Sequence, residues 1–390
     1  MKRLIIINKI YNFFKKGIIV VIIYLILDII FFSLLSENIK TKFYNNRAHR
    51  IKSYYYHHDL RPNASFYDVW GYKKYKIHTN NLGFKDKNRR EIKFKDRNIL
   101  FIGDSFTEGV GLKFEDTYVG KISETIKKLD NNVEILNAGV QSYSPGIYLA
   151  KIYDLIERKN LPITDIVIMI SGGDIADDYY KYLKVDENFR LQHIDQSNKF
   201  LIKVINFYKS NTLVYQIITR ITPPKVIPKL IKSFFNKEKN KNYLSKEIKL
   251  LNISNKEILK MEFLTRQDYE YFFDEEAFNN WGKKAIAKSI NNLKRIIKLT
   301  KKKNIKLKIL YAKEPVLIIK KPKKKILNYL LREFKNLEGP NVKFYYINEY
   351  HNIFDDDIDG YKNLFFIGDI HWNKKGNFLV ANEIINKLNF

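Results

Sequence analysis

The stretch Asn98-Ile-Leu-Phe-Ile-Gly-Asp-Ser-Phe-Thr-Glu-Gly-Val-Gly111 decides how the rest of the chain is read. Residues 99–102 form a short apolar run with the length and bounds of a buried strand. Gly103 breaks the run, Ser105 stands just past the strand end, and a helix is expected over 115–129. A serine on a tight strand-to-helix turn is well placed to be a nucleophile. The turn pushes its Oγ outward and aims backbone N–H groups at whatever binds there. Read alone, Gly-Asp-Ser is equally an ordinary β-to-α turn with a serine N-cap.

Outward from this stretch the pattern alternates. Strands are expected at 133–137, 165–170, 305–311 and 342–347, and helices at 145–158, 277–303, 321–335 and 373–388. In the long helix at 277–303, Trp281, Ala285, Ile286, Leu293, Ile296 and Ile297 fall on one face. Strands alternating with helices predict an α/β fold with a parallel sheet covered on both faces. Residues 185–272 break the rhythm. They are Lys/Asn-rich, contain Pro223, Pro224 and Pro228, and carry apolar clusters at 201–208 and 212–221. They read as a mostly helical insertion, or lid, with 236–242 a solvated loop. No internal repeat is evident.

The 390 residues suffice for one large α/β domain with insertions or for two smaller ones. At 45% apolar residues, the chain can bury a sizeable core. The net charge of +28 raises the question of an anionic partner. The lysines are spread along the chain among many Asn, Ile, Tyr and Phe, and no zinc-finger, helix-turn-helix or RNP-type signature is present, so nucleic acid is set aside. An anionic membrane or acidic polysaccharide stays open. The chain has no cysteine, which excludes disulfides, Cys-based zinc sites and lipidation through Cys.

Residues 17–35 form a 19-residue apolar run matched to the hydrocarbon core of a bilayer. Asp28 is its one charge. It costs about 3 kcal/mol at mid-membrane, which many Ile, Leu and Phe offset at roughly 0.5 kcal/mol each. Asp28 is read as a tolerated charge, with a helix–helix contact as the alternative. A cleaved signal peptide is the rival for the whole segment, but the run is long for one and no clear Ala-x-Ala site follows. The expectation is an uncleaved single-pass anchor over 17–35, preceded by a cytoplasmic segment, 1–16. Lys15 and Lys16 abut the span and Glu37 lies beyond it, which favours an extracytoplasmic C-terminal part.

Residues 36–97 form a juxtamembrane segment, with turns at Pro62 and Gly83 between short strands. His57 and His58 suggest a metal pair. Adjacent strand residues point to opposite faces, so a joint ligand role is not expected.

Further motifs stand at strand ends, where an open α/β sheet holds its ligand. Gly139, in Asn137-Ala-Gly-Val-Gln-Ser-Tyr-Ser144, follows a strand and lets a backbone N–H approach a reacting oxygen. Ile170-Ser-Gly-Gly-Asp174 ends the next. In Gly368-Asp-Ile-His-Trp-Asn373, His371 precedes the last helix and can serve Ser105 as a base if the strand ends converge, with Asp369 as its orienting acid.

Four blocks in this order resemble those of the SGNH/GDSL hydrolases. The string Ile102-Gly-Asp-Ser-Phe-Thr-Glu-Gly109 is similar to the family's first block, whose serine is the nucleophile. Gly139 matches the second-block glycine, an oxyanion-hole donor. The third block departs from the pattern: Ser171 and Gly173 stand where Gly and Asn are usual, so the Asn donor is missing and a backbone N–H of Gly173 is the available substitute. Asp174 matches that block's Asp, either bracing the loop or touching substrate. The last block spaces its pair as Asp-x-His-Trp-Asn rather than Asp-x-x-His, as in membrane-associated branches and acetyltransferase-like proteins of exopolysaccharide export. The resemblance covers roughly 98–182 and 275–390, and loosely 54–86, where similar segments look like a packing strap.

The resemblance implies a flavodoxin-like three-layer α/β/α domain over 98–390, interrupted by 185–272. It implies an acyl-enzyme on Ser105, His371 and Asp369 as its partners, and Ser105, Gly139 and Gly173 at the oxyanion. No metal or organic cofactor is required. The implied substrate is an ester, first an O-acetyl group on a cell-surface glycan and next a lipid ester. An O-acetyltransferase, or a non-catalytic glycan-binding protein that kept the fold, are the alternatives. No Gly-x-Ser-x-Gly elbow of a conventional α/β-hydrolase is present.

Overall fold

The computed structural model describes residues 2–35, 50–70, 73–193, 212–214, 267–350, 364–366 and 369–388. Contacts divide these into two units, one joining 2–35 with 212–214 and the other joining 50–193 with 267–388.

In the first unit, helix α1 runs Lys2–Leu34. It begins well before the apolar run. Its part at Lys15–Leu34 is long and apolar enough to cross a membrane by length and composition.

The second unit opens with strands β1 (Arg50–Ser53) and β2 (His57–Leu60), paired with each other, then β3 (Ser65–Trp70), β4 (Lys73–Thr79) and β5 (Lys85–Asp86). The alternation follows with β6 (Arg97–Ile102), a one-turn helix α2 (Ser105–Glu108), α3 (Tyr118–Leu129), β7 (Val133–Asn137), α4 (Pro145–Tyr153), β8 (Asp165–Ile170) and α5 (Gly172–Tyr180). A hairpin of β9 (Tyr182–Val185) and β10 (Leu191–His193) comes next. The chain closes with α6 (Lys283–Lys302), β11 (Lys306–Ala312), α7 (Pro315–Ile319), α8 (Lys324–Lys335), β12 (Val342–Ile347) and α9 (Lys374–Leu388).

The main sheet has the order β12-β11-β8-β6-β7-β5-β4-β3. Its first five strands are all parallel. By sequence they run 2-1-3-4-5 across the sheet, the doubly wound order of flavodoxin-like folds. Each of β6, β7 and β8 is buried nearly along its whole length, as strands covered on both faces must be. Helix α3 packs with α9, and α6 packs with α4 and α5, giving two helical groups.

The expectation of a parallel sheet needs one correction. Beyond β7 the sheet continues antiparallel through β5, β4 and β3, so it is mixed. The short strands of the juxtamembrane segment do not merely lie over the domain. Three of them, β5, β4 and β3, extend its sheet, because an exposed edge at β7 leaves backbone groups to be paired, while β1 and β2 form a separate pair.

The expected insertion at 185–272 lies largely outside the described residues. Its first part, at 185–193, belongs to the β9–β10 hairpin rather than to a helix. Residues 36–49 of the juxtamembrane segment and the solvated loop at 236–242 also lie outside them.

The His57–His58 pair does not follow the alternation of a regular strand, because His57 has a φ of 76°. The two Nδ1 atoms meet at 2.7 Å, and His58 Nε2 bonds the Gln141 carbonyl at 2.7 Å. Burial pushes the His58 imidazole down to about 4.

Candidate active site

The site lies at the switch point of the sheet, where β6 has neighbours whose connections run to opposite sides. The turn after β6 is tight for a steric reason. A Cβ on Gly103 would lie 2.1 Å from Thr107 Oγ1 and 2.8 Å from the Met169 carbonyl oxygen. Only glycine lets the turn that carries Ser105 approach β8 this closely. Asp104 caps α2, its Oδ1 accepting the Phe106 N–H at 2.9 Å. Ser105 is thereby fixed at the first position of α2, buried except for 9% of its surface.

His371 comes from the loop before α9. Asn373 Oδ1 accepts the N–H groups of Lys375 and Gly376, and the Asn373 N–H reaches the Leu364 carbonyl at 2.8 Å. These bonds set the loop's exit, and the His371 carbonyl accepts the Phe366 N–H at 3.0 Å. The imidazole packs against the rings of Phe106 and Trp70, at centroid distances of 4.9 and 4.8 Å.

Across 266 residues of sequence, His371 Nε2 comes within 2.7 Å of Ser105 Oγ. On the other side of the ring, His371 Nδ1 bonds Asp369 Oδ1. The same oxygen accepts the His371 backbone N–H at 2.9 Å. With the carboxylate holding the proton on Nδ1, Nε2 is left as an acceptor for the serine O–H. Burial pushes Asp369 up, but its attraction to a protonated His371 and the bonds from His371 and Trp70 outweigh it and hold the carboxyl below its usual range.

Trp70 was not legible as a site residue in the sequence. Its indole Nε1–H donates to Asp369 Oδ2 at 2.7 Å, from the end of β3, 299 residues away. The strap therefore occupies the carboxylate oxygen that His371 leaves free. Trp70→Phe keeps the ring and removes the donor, a hydrogen bond to a charged group worth about 1.5–3 kcal/mol. The expected result is a fall in kcat for ester hydrolysis of about tenfold, with KM and the thermal midpoint nearly unchanged. Parallel loss of kcat and folding stability would mean that Trp70 only packs.

At the oxyanion position the three expected donors differ. The N–H groups of Ser105 and Gly173 have no hydrogen-bond partner among the described residues. The Gly139 N–H is committed to Asn137 Oδ1 at 3.1 Å. The place of the missing third-block side chain is also filled. A Cβ on Gly173 would lie 3.1 Å from the hydroxyl oxygen of Tyr269, which is 1% exposed. A hydroxyl from the far end of the insertion thus stands where a longer residue at 173 would project. Asp174 braces the loop: it forms a capping box with Ser171 and accepts the Tyr148 hydroxyl at 2.6 Å. Burial, reinforced by the Asp104 charge, holds it well above the usual carboxylate range.

Behind this loop sits Glu314, fully buried at the end of β11. It bonds the Gly172 N–H, and Tyr269 Oη lies 3.3 Å from its Oε1. Its position at a strand end, just before Pro315, was a signal the sequence offered. Burial pushes Glu314 up to about 8. The unfolded chain releases this proton near pH 4.3. Between there and about pH 8 the folded state binds more protons than the unfolded one, so this group's contribution to stability falls as pH rises. Glu314→Gln carries no such proton. Its urea midpoint relative to wild type is expected to rise between pH 5 and pH 8. A constant difference would contradict a protonated Glu314.

Among the described residues, no group of three or more His, Asp or Glu side chains is arranged to hold a metal.

The strap pins the site's other loops as well. Arg50 pairs with Glu108 of α2 at 2.7 Å, and Glu108 Oε2 accepts the Gln141 N–H at 2.6 Å. Lys85 Nζ, fully buried, donates to the carbonyls of Gly109 and Leu112 at 2.8 and 2.6 Å. Burial pushes that ammonium down to about 8.

No family model matches the sequence, and no curated protein matches it. Solved structures do show a likeness. A mutant of Axe2, an acetyl-xylooligosaccharide esterase from Geobacillus stearothermophilus, is similar with 11% identity over 76% of this chain and 96% of that one, at a TM-score of 0.39. LAE5, an alpha/beta hydrolase enzyme from the metagenome of Lake Arreo, is similar with 9% identity over 76% and 97%, at a TM-score of 0.34. A two-domain esterase active on acetylated mannans is similar with 13% identity over 75% of this chain and 49% of that one, at a TM-score of 0.31. At these scores the chemistry rests on the geometry of the site itself.

Proposed function

We propose that this chain is a membrane-anchored serine esterase of the SGNH type, with Ser105 as nucleophile, His371 as general base and acid, and Asp369 as the group that orients the imidazole. One observation carries the reading: Ser105 Oγ, His371 and Asp369 form a continuous hydrogen-bonded line at the switch point of the sheet. Ser105 Oγ attacks the ester carbonyl while His371 Nε2 takes its proton. His371 then gives that proton to the leaving alcohol. Water, activated by the same imidazole, resolves the acyl-enzyme. The N–H groups of Ser105 and Gly173 face the oxyanion, and that of Gly139 joins them once it leaves Asn137 Oδ1.

The substrate is an O-acetyl ester of a cell-surface glycan, in keeping with the resemblance of the sequence and with a catalytic domain, 98–390, outside the cytoplasm on an anchor at 17–35. The test uses the full chain in detergent or nanodiscs with p-nitrophenyl acetate. Turnover by wild type that is lost in Ser105→Ala supports the reading. Equal background in both proteins contradicts it.

A further inference from the structure

The charge inside the apolar helix is not bare. Asp28 is 8% exposed, although most of α1 around it is open. Its Oδ1 accepts the backbone N–H of Leu213 at 3.2 Å and its Oδ2 that of Val214 at 3.3 Å. Both residues begin a helical turn, where backbone N–H groups have no partner of their own. A carboxylate is the natural acceptor there. The reading of Asp28 as a merely tolerated charge is therefore corrected.

The covering is confined to one stripe. Leu25, Asp28, Ile29, Phe32 and Leu35 are buried or half-buried, at the i, i+3, i+4 spacing of one helix face. Val20, Val21, Ile26, Leu27, Ile30 and Phe31 on the other faces are about half exposed or more. That is the pattern of a helix with lipid on most of its surface and protein along one line.

Asp28 stands six residues before the end of the apolar helix at Leu34. At 1.5 Å per residue that is about 9 Å inside the boundary. Backbone brought to that depth meets no water, and an unsatisfied N–H there costs several kcal/mol. We infer that residues 212–214 enter the outer part of the bilayer beside α1, and that Asp28 is kept in the span because it satisfies their backbone. The chain then meets lipid through two segments. This inference rests on the membrane-anchor reading above. The sequence fits it: 212–221, Thr-Leu-Val-Tyr-Gln-Ile-Ile-Thr-Arg-Ile, is apolar but too short to span, and Pro223 and Pro224 follow.

The absence of cysteine makes the test direct. Val214→Cys is labelled with bimane in the full chain and reconstituted into phosphatidylcholine vesicles. Leu129→Cys, on an exposed surface of the hydrolase domain, is the control. The bimane at 214 is expected to be quenched by acyl-chain-brominated lipid and to be at least fivefold less sensitive to aqueous iodide than that at 129. In the Asp28→Ala background, iodide sensitivity at 214 is expected to rise towards the control. Iodide quenching at 214 equal to that at 129 overturns the inference. So does a label quenched by neither agent, which would mean shielding by protein alone, and so does Asp28→Ala without effect. Carbonate extraction separates this from the anchor itself: a protein released from vesicles at high pH contradicts the anchor reading, and a retained protein with an iodide-accessible Val214→Cys label contradicts only the second entry.

Discussion

His371→Ala is expected to lower kcat for ester hydrolysis by about 10⁶-fold, and Asp369→Ala by about 10⁴-fold. The order follows from the geometry. His371 Nε2, 2.7 Å from Ser105 Oγ, is the acceptor placed to take the serine proton. Without it the hydroxyl attacks as a neutral alcohol. Asp369 acts one bond further back, through Nδ1, so its loss costs the tautomer and orientation but leaves the base. A double variant, Ser105→Ala with His371→Ala, is expected to be no slower than either single one, because the residues act as a unit. The imidazole also fills space between Phe106 and Trp70, so His371→Gln, which keeps a polar side chain there, guards against a folding artefact. Steady-state kinetics on p-nitrophenyl acetate, with circular dichroism for the fold, decides it. Additive losses in the double variant would mean that the two side chains do separate work.

Asp59→Ala is expected to cost about 3–5 kcal/mol of folding stability, a large part of the 5–15 kcal/mol typical of a whole domain. Asp59 Oδ1 lies 2.7 Å from Lys151 Nζ, and the lysine side chain is fully buried. Burial pulls the Lys151 ammonium down, and the Asp59 charge opposes this. The remaining neighbours of Nζ are the Ala138 carbonyl, the Tyr143 hydroxyl and the rings of Tyr56, Phe84 and Tyr143. They soften an uncompensated cation but do not neutralise it. Asp59→Leu combined with Lys151→Met removes both charges and is expected to recover most of the loss, since an apolar pair of similar volume often matches a buried ion pair. Urea unfolding of wild type, Asp59→Ala and the double variant measures the loss and its recovery. An Asp59→Ala variant as stable as wild type would show that the lysine is held by its rings alone. The pair also reaches the site's surroundings: Lys151 Nζ donates to the Ala138 carbonyl, so the strap's hold on Lys151 steadies the loop that carries Gly139.

The sequence showed more of the sheet than of the site's surroundings. Strands at 133–137 and 165–170 stand where the apolar runs put them, because a fully buried parallel strand advertises itself by composition, and the half-buried edge strand at 342–347 stands where its aromatic and β-branched residues put it. Edges shift where caps decide. The helix expected from 115 starts at Tyr118, because Thr117 accepts the Gly120 N–H and a 3-10 turn at Phe114–Asp116 precedes it. The antiparallel extension through β3, β4 and β5 was hidden, since short polar strands carry little periodic signal. Among site residues, Ser105, Asp369 and His371 stood in quotable motifs, and the fold brings all three side chains together. Trp70, Tyr269 and Glu314 had no motif. Their roles come from long-range convergence: the Trp70–Asp369 contact joins residues 299 apart, and no local pattern encodes it. The partners of Asp28 were hidden for the same reason, since the N–H groups that satisfy it lie 185 residues or more downstream.

The central claim is that Ser105 is an activated nucleophile. The most direct measurement is intact-protein and peptide mass spectrometry after exposure of the full chain to a fluorophosphonate. The expected result is one adduct per chain, on the peptide containing Ser105, absent in His371→Ala and in Ser105→Ala. A chain that stays unmodified under conditions that label an ordinary serine esterase, or one labelled elsewhere, would contradict the account.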